Sequence, residues 1–183
     1  MKVMGAIIAG GASRRFGGDK GAALLGGSAL IEHVALALRS QCDGLVIVGR
    51  DWPGIDRVED RPRPDEGPLG GLNGALHHAR EHGFDAILCA GCDTLPVPLD
   101  LAQRLAPGPA VVEGHWLMGL WPASLAEDMD HWLADQPDRS MRAFMQQADT
   151  RTVSFDMDFV NINTPEALAQ AQERHLQSGR AES

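Results

Sequence analysis

Two short segments of this 183-residue chain carry side chains suited to holding a polyphosphate and a metal ion. The first is Gly10-Gly11-Ala12-Ser13-Arg14-Arg15-Phe16-Gly17-Gly18-Asp19-Lys20. Its glycines expose backbone N–H groups that close on phosphate oxygens without a Cβ in the way. Arg15 adds a planar fork of donors and Lys20 a mobile point charge. Lysine is scarce here: of 16 basic residues only Lys2 and Lys20 are Lys, and one of the two falls in this segment. Familiar phosphate loops do not fit. A Walker loop needs Ser or Thr after its Lys, whereas Gly21 follows Lys20, and the Gly-x-Gly-x-x-Gly spacing of dinucleotide sites is not matched. The second segment is Cys92-Asp93-Thr94-Leu95-Pro96. A carboxylate at a strand end, facing the same rim as a phosphate loop, is a natural ligand for Mg²⁺ bridging phosphate oxygens. Alone, such an Asp reads more readily as a turn or capping residue; the pairing with the first segment reverses the balance and gives it chemistry.

The elements that must position these segments follow from periodicity. Val3–Ala9 is an apolar run stopped by Gly10-Gly11, the pattern of a strand buried on both faces. From Ser28, placed to cap, a helical pattern sets Leu30, Ile31, Val34 and Leu38 on one side. Strands are expected at 45–48 and 57–60, a proline-broken surface loop at 61–68, a helix at 70–82, and an apolar strand at 86–90 ending near Asp93. This alternation predicts a three-layer α/β/α fold with a mostly parallel, Rossmann-like sheet. Beyond Pro107, strands are expected at 110–112 and around 116–121, antiparallel at the sheet edge, helices at 124–135 and 139–147, and short strands at 153–155 and 159–161. Thr164-Pro165-Glu166 opens a last helix with Pro in its first turn. One domain over 1–176 is expected, with a frayed tail at 177–183.

Composition bounds the partners. Hydrophobic residues make up 44% and the net charge is -9, an ordinary globular balance that disfavours a broad basic surface for nucleic acid. The charge is uneven: residues 1–64 carry +2 and residues 65–183 carry -11. No apolar run reaches the roughly 18 residues of a membrane span. The N-terminal apolar stretch faintly imitates a signal peptide but reads better as the first strand. Three cysteines, Cys42, Cys89 and Cys92, cannot all pair, and a reduced cytoplasmic protein is expected. Cys89-x-x-Cys92 lacks the second pair a zinc site needs, and His78 and His82, four apart on a helix, read as a solvated face. Trp116, Trp121 and Trp132 read as core or as a substrate shelf.

Four blocks together carry a family resemblance: the Gly-rich segment with its Gly18-Asp19-Lys20 end, Gly67-Pro68-Leu69-Gly70-Gly71, Cys92-Asp93-Thr94-Leu95-Pro96, and Phe159-Val160-Asn161-Ile162-Asn163-Thr164-Pro165-Glu166. In this order they resemble the molybdenum cofactor guanylyltransferases, within the nucleotidyltransferase superfamily. The resemblance implies a sheet of the nucleotide-diphospho-sugar transferase type and transfer of GMP from GTP to molybdenum-molybdopterin with Mg²⁺. By position, Ile8, Ala9, Gly10, Gly11, Lys20, Asp60 and Asp93 would contact the nucleotide. Arg15, Lys20 and Asp93 would act on the phosphates, and Asp93 with Asn163, Asn161 nearby, would hold the metal. Residues 1–107 would form the nucleotide half and 108–176 the pterin half. Molybdopterin-inserting and client molybdoenzyme proteins would be further partners, with no nucleic acid and no membrane. Gly11, and the Gly-Pro-Leu block, favour guanine over the cytosine of related enzymes. Three departures stand out: Phe16 in place of Met; Val48-Gly49-Arg50 where an Asn usually touches the nucleotide; and His115-Trp116 in place of a His-Pro or Arg-Pro pair. A cytidylyltransferase, a sugar-phosphate nucleotidyltransferase and a non-catalytic GTP-binding adaptor are the competing readings.

Overall fold

The computed structural model describes residues 1–10, 16–64 and 66–181, with side chains described through His175. Its centre is β1 (Val3–Ile8), every residue of which is buried. It pairs in parallel with β4 (Gly44–Val48) on one side and β6 (Ala86–Gly91) on the other. β5 (Asp56–Val58) extends the sheet beyond β4. On the far side β9 (His115–Pro122) runs antiparallel to β6, and β8 (Ala110–Val112) and β10 (Arg151–Val153) follow. The order is β10-β8-β9-β6-β1-β4-β5, with β9 alone opposed to its neighbours. The antiparallel strand expected at an edge is therefore interior, and the shorter β10 takes the edge.

Alternation along β1 divides the core. Val3 and Ile7 face one side with α1 (Leu30–Arg39), while Met4, Ala6 and Ile8 face the other with α2 (Gly67–Glu81). Leu30, Ile31, Val34 and Leu38 are all buried, as their spacing requires. α3 (Leu101–Leu105) and α6 (Pro165–Ala181) add to the α1 side; α4 (Ala126–Asp135) and α5 (Met141–Gln147) add to the α2 side. Trp121 is fully buried on the α2 side, its ring 6.0 Å from that of Phe144. Asn73, buried within α2, donates to Asp130 of α4 at 2.7 Å and ties the two helices together.

Local structure departs from expectation at a few points. Ser28 does not cap α1: residues Leu24–Leu25 (β2) and Ser28–Ala29 (β3) form a small hairpin whose Gly26 and Gly27 both have positive φ, the conformation a two-residue turn between paired strands demands. The helix begins after Ala29, whose N–H donates to Glu32 at 2.8 Å. α2 starts at Gly67, three residues before the expected position, with Pro68 in its first turn, where a missing N–H costs nothing. α6 is helical through Ala181, past the expected boundary at 176, even though Ser178-Gly179 is a turn-favouring pair.

Two parallel neighbours on opposite sides of β1, reached by crossovers through α1 and α2, make the carboxyl ends of β1, β4 and β6 a topological switch point. Open α/β sheets bind ligands there. Both chemical segments of the sequence emerge at that rim.

Candidate active site

A cavity of about 750 Å³ opens at the switch point, bordered by Ile8, Ala9 and Gly10 after β1, Lys20 and Gly21 from the Gly-rich segment, and Gly49 and Arg50 after β4. Asp60 beyond β5, Gly67, Pro68 and Gly71 of α2, and Cys92 and Asp93 after β6 close the circle. Helix α2 aims its N-terminus at this space, so its unpaired N–H groups and the positive end of its dipole favour an anion there. Asp60 carries its carboxylate to a point across from Gly10 and Gly71.

The charged centre of the rim is Lys20. Its Nζ donates to Asp93 Oδ2 at 2.6 Å and to Asn163 Oδ1 at 3.0 Å. Asp93 and Asn163 lie 70 residues apart and meet because β7 (Thr94–Leu95) pairs antiparallel with β11 (Val160–Asn161) in a separate two-stranded ribbon. That pairing places the Ile162 N–H on the Asp93 carbonyl at 2.7 Å. Asn161 accepts the Thr94 hydroxyl at 2.6 Å and so touches the Asp93 group through one intermediate side chain. Asn163-Thr164-Pro165 has a division of labour: Thr164 Oγ1 accepts the Ala167 N–H and caps α6, which leaves the Asn163 amide to the rim.

A second cavity of about 330 Å³ adjoins the first and shares Pro68, Asp93 and Leu117 with it. Its other walls include Thr94, His115, Trp116, Met141, Asn161 and Asn163. Trp116 is 40% exposed, unlike the buried Trp121, and the His115 ring lies 4.7 Å from Phe159. Burial lowers the His115 pKa and favours the neutral ring. Burial and the adjacent Asp93 push the Cys92 thiol up to about 11, so it borders the site as a neutral small side chain rather than a nucleophile.

Of the residues singled out in the sequence, Ile8, Ala9, Gly10, Lys20, Asp60 and Asp93 border the larger cavity and Asn163 joins Lys20 and Asp93. Gly11 and Arg15 lie outside the described residues. Sequence reasoning missed the ion pair between Arg50 and Asp19, and the parts played by Thr94 and Met141 in the second cavity. Gly49 explains one departure. With φ +85° it packs on Gly10, and a Cβ there would lie 2.5 Å from the Gly10 Cα, so an Asn in its place has no room. Among the described residues no group of three or more His, Cys, Asp or Glu gathers into a metal cage. The oxygens of Asp93 and Asn163 converge on one cationic nitrogen, and this hard donor pair suits a small divalent ion that takes its remaining ligands from phosphate and water.

Comparison with known proteins places this geometry in a class. Residues 5–153 match the MobA-like NTP transferase domain. A molybdenum cofactor guanylyltransferase of Rhizobium leguminosarum bv. trifolii is 35% identical, over 98% of this chain and 96% of its own. One from Cereibacter sphaeroides is 38% identical, over 94% of this chain and 96% of its own. The chain therefore belongs to the MobA-like NTP transferases and, within them, to the molybdenum cofactor guanylyltransferase family. The fold agrees: the crystal structure of molybdopterin-guanine dinucleotide biosynthesis protein A from Archaeoglobus fulgidus superposes with a TM-score of 0.75 at 21% identity, covering 95% of this chain and 99% of that one. The sheet is of the nucleotide-diphospho-sugar transferase type.

Proposed function

We propose that this protein transfers GMP from GTP to molybdopterin carrying molybdenum, yielding molybdopterin guanine dinucleotide and pyrophosphate. The observation that carries the reading is the meeting of Lys20 and Asp93 on the wall between two adjoining cavities, one large enough for a nucleoside triphosphate. GTP would take the larger cavity and the pterin phosphate the smaller one. Most of the smaller cavity's walls come from residues 108–176, the half expected to serve the pterin, and most of the larger from residues 1–107.

The acceptor's terminal phosphate is already anionic, so an oxygen of that group attacks the α-phosphorus without a general base. A bond forms from that oxygen to the α-phosphorus as the bond to the bridging oxygen breaks, and pyrophosphate leaves with the electron pair. The protein's work is alignment and charge neutralisation. Lys20, with Arg15, would meet the growing negative charge on the departing pyrophosphate. Asp93 and Asn163 would hold Mg²⁺. When bound, the ion would neutralise phosphate oxygens and make the α-phosphorus more electrophilic. Ile8, Ala9, Gly10 and Gly11 would lie along the nucleotide, and Asp60 would accept hydrogen bonds from base or ribose.

Among the described residues no helix is long and apolar enough to cross a membrane, and all three cysteines are free thiols. The reading includes, as the family resemblance and the cysteine usage lead one to expect, a cytoplasmic location and hand-over of the product to molybdopterin-inserting and client molybdoenzyme proteins. The test supplies purified protein with Mg-GTP and molybdopterin. Guanine dinucleotide and stoichiometric pyrophosphate are expected, with CTP and sugar phosphates inert as replacements. GTP binding without pyrophosphate under any molybdopterin supply would replace the enzyme by an adaptor.

A further inference from the structure

Arg50 enters the rim from the loop after β4, and its guanidinium meets Asp19 end-on: Nη1 donates to Oδ1 at 2.5 Å and Nη2 to Oδ2 at 2.6 Å. This two-pronged geometry is available to Arg and not to Lys. The surroundings are shaped for it. The guanidinium lies 5.3 Å from the centre of the Trp52 ring, and a Cβ on Gly21 would lie 2.6 Å from Ile31 Cδ1 and 2.9 Å from Arg50 Nη1, so Gly21 leaves room for both side chains. The turn of the β4 chain at Gly49, pressed on Gly10, launches Arg50 toward the loop. Asp19 also accepts the Ala22 N–H, so the carboxylate joins the turn of its own loop to the neighbouring strand end. The mutual hydrogen bond holds the Asp19 carboxyl below its usual range and raises Arg50, as expected for a pair that stays charged.

Lys20 is the next residue. Its side chain leaves the backbone toward Asp93 and Asn163, while Asp19 is clamped by Arg50. Both Asp19 and Arg50 border the larger cavity. An unpaired carboxylate there would oppose any polyanion entering it.

We infer that Arg50 is a positioning residue that acts through Asp19: it fixes the loop bearing Lys20 and cancels the one negative charge that loop brings to the triphosphate cavity. The inference rests on the proposed GTP site for its second half only. Its first half concerns the free protein and is read without nucleotide.

The scarcity of lysine makes the placement of Lys20 measurable, because Lys2 is the sole other lysine and serves as the internal standard. Brief labelling with an amine reagent, followed by peptide mass spectrometry, compares the two in wild type, Arg50→Ala and Arg50→Lys, with melting temperatures recorded alongside. Both variants should label Lys20 about fivefold faster, the ratio produced by about 1 kcal/mol of lost pairing, with Lys2 unchanged. Equal Lys20 labelling in the wild type and both variants would overturn the inference, whether or not GTP binds. Titration with GTP then separates action through Asp19 from direct contact with phosphate. Arg50→Ala and Arg50→Lys should each weaken binding about tenfold, a loss of the size a charge-assisted fork supplies, and Asp19→Asn/Arg50→Ala should bind better than Arg50→Ala. If instead Asp19→Asn alone tightens binding and the double variant is as weak as Arg50→Ala, Arg50 is a direct phosphate ligand and the positioning role falls. Failure of the wild type to bind GTP would strike the proposed function and leave the labelling result standing.

Discussion

The two cavities on either side of Asp93 are built by different means. The larger is walled by backbone and by charge: glycines 10, 21, 49, 67 and 71, one helix N-terminus, and the side chains of Lys20, Arg50 and Asp60. The smaller is walled by bulk: Trp116, Leu117, Met141 and His115, with the amides of Asn161 and Asn163 at its edge. A cavity of the first kind recognises a repeated charged group whose shape is the same in every nucleotide. One of the second kind recognises the outline of a particular ring system.

The sharpest test of this division is the one charged residue lining both cavities, Asp93. Asp93→Ala should lower turnover about a thousandfold or more, the upper range for removal of one preorganised electrostatic group, with losses in use of both substrates. Near-normal GTP consumption in that variant would remove Asp93 from the chemistry. Lys20→Ala comes next, at about 3 kcal/mol of transition-state stabilisation or roughly a hundredfold in turnover. A change under about threefold would place Lys20 away from the phosphates. Gly49→Ala addresses the backbone character of the larger cavity. The positive φ and the contact with Gly10 should cost about 2 kcal/mol of stability, read as a lower denaturant midpoint, together with weaker GTP binding. A variant with unchanged midpoint and affinity would show that Gly49 is not tightly held. The smallest effect is expected at Trp116→Ala, which should raise the acceptor KM about tenfold, or about 1.4 kcal/mol, while the Kd for GTP stays within about twofold. Equal damage to both substrates would dissolve the distinction between the cavities.

The same contrast governs how much of each cavity is legible in the sequence. The larger cavity draws on contiguous motifs, and its strands, Val3–Ile8 and Ala86–Gly91, are continuous apolar runs whose ends locate Gly10 and Asp93. The helix face of Leu30, Ile31, Val34 and Leu38 is equally plain, because burial repeats with the helical turn. What is not legible depends on contacts without local pattern. The β7–β11 ribbon has two residues per strand, too few for alternation, yet it brings Asn163 to Lys20. Arg50 and Asp19 lie 31 residues apart, and opposite charges at that separation carry no signal of pairing. At Gly49 the missing Asn is visible as a departure, but its cause, close packing on Gly10, is a three-dimensional fact. Ser28 illustrates the opposite failure: a good capping residue stands at the right place, and a hairpin claims it first.

The shared wall also has a kinetic meaning. A single carboxylate borders both cavities, so two substrates bound side by side would meet at the same group. Cys92 borders the larger cavity only, and burial together with the adjacent Asp93 holds its thiol neutral. A ternary complex is the expected route, and double-reciprocal plots at several fixed concentrations of the second substrate should intersect rather than run parallel; parallel lines would instead point to a nucleotidyl group held on Lys20 or His115 between two half-reactions.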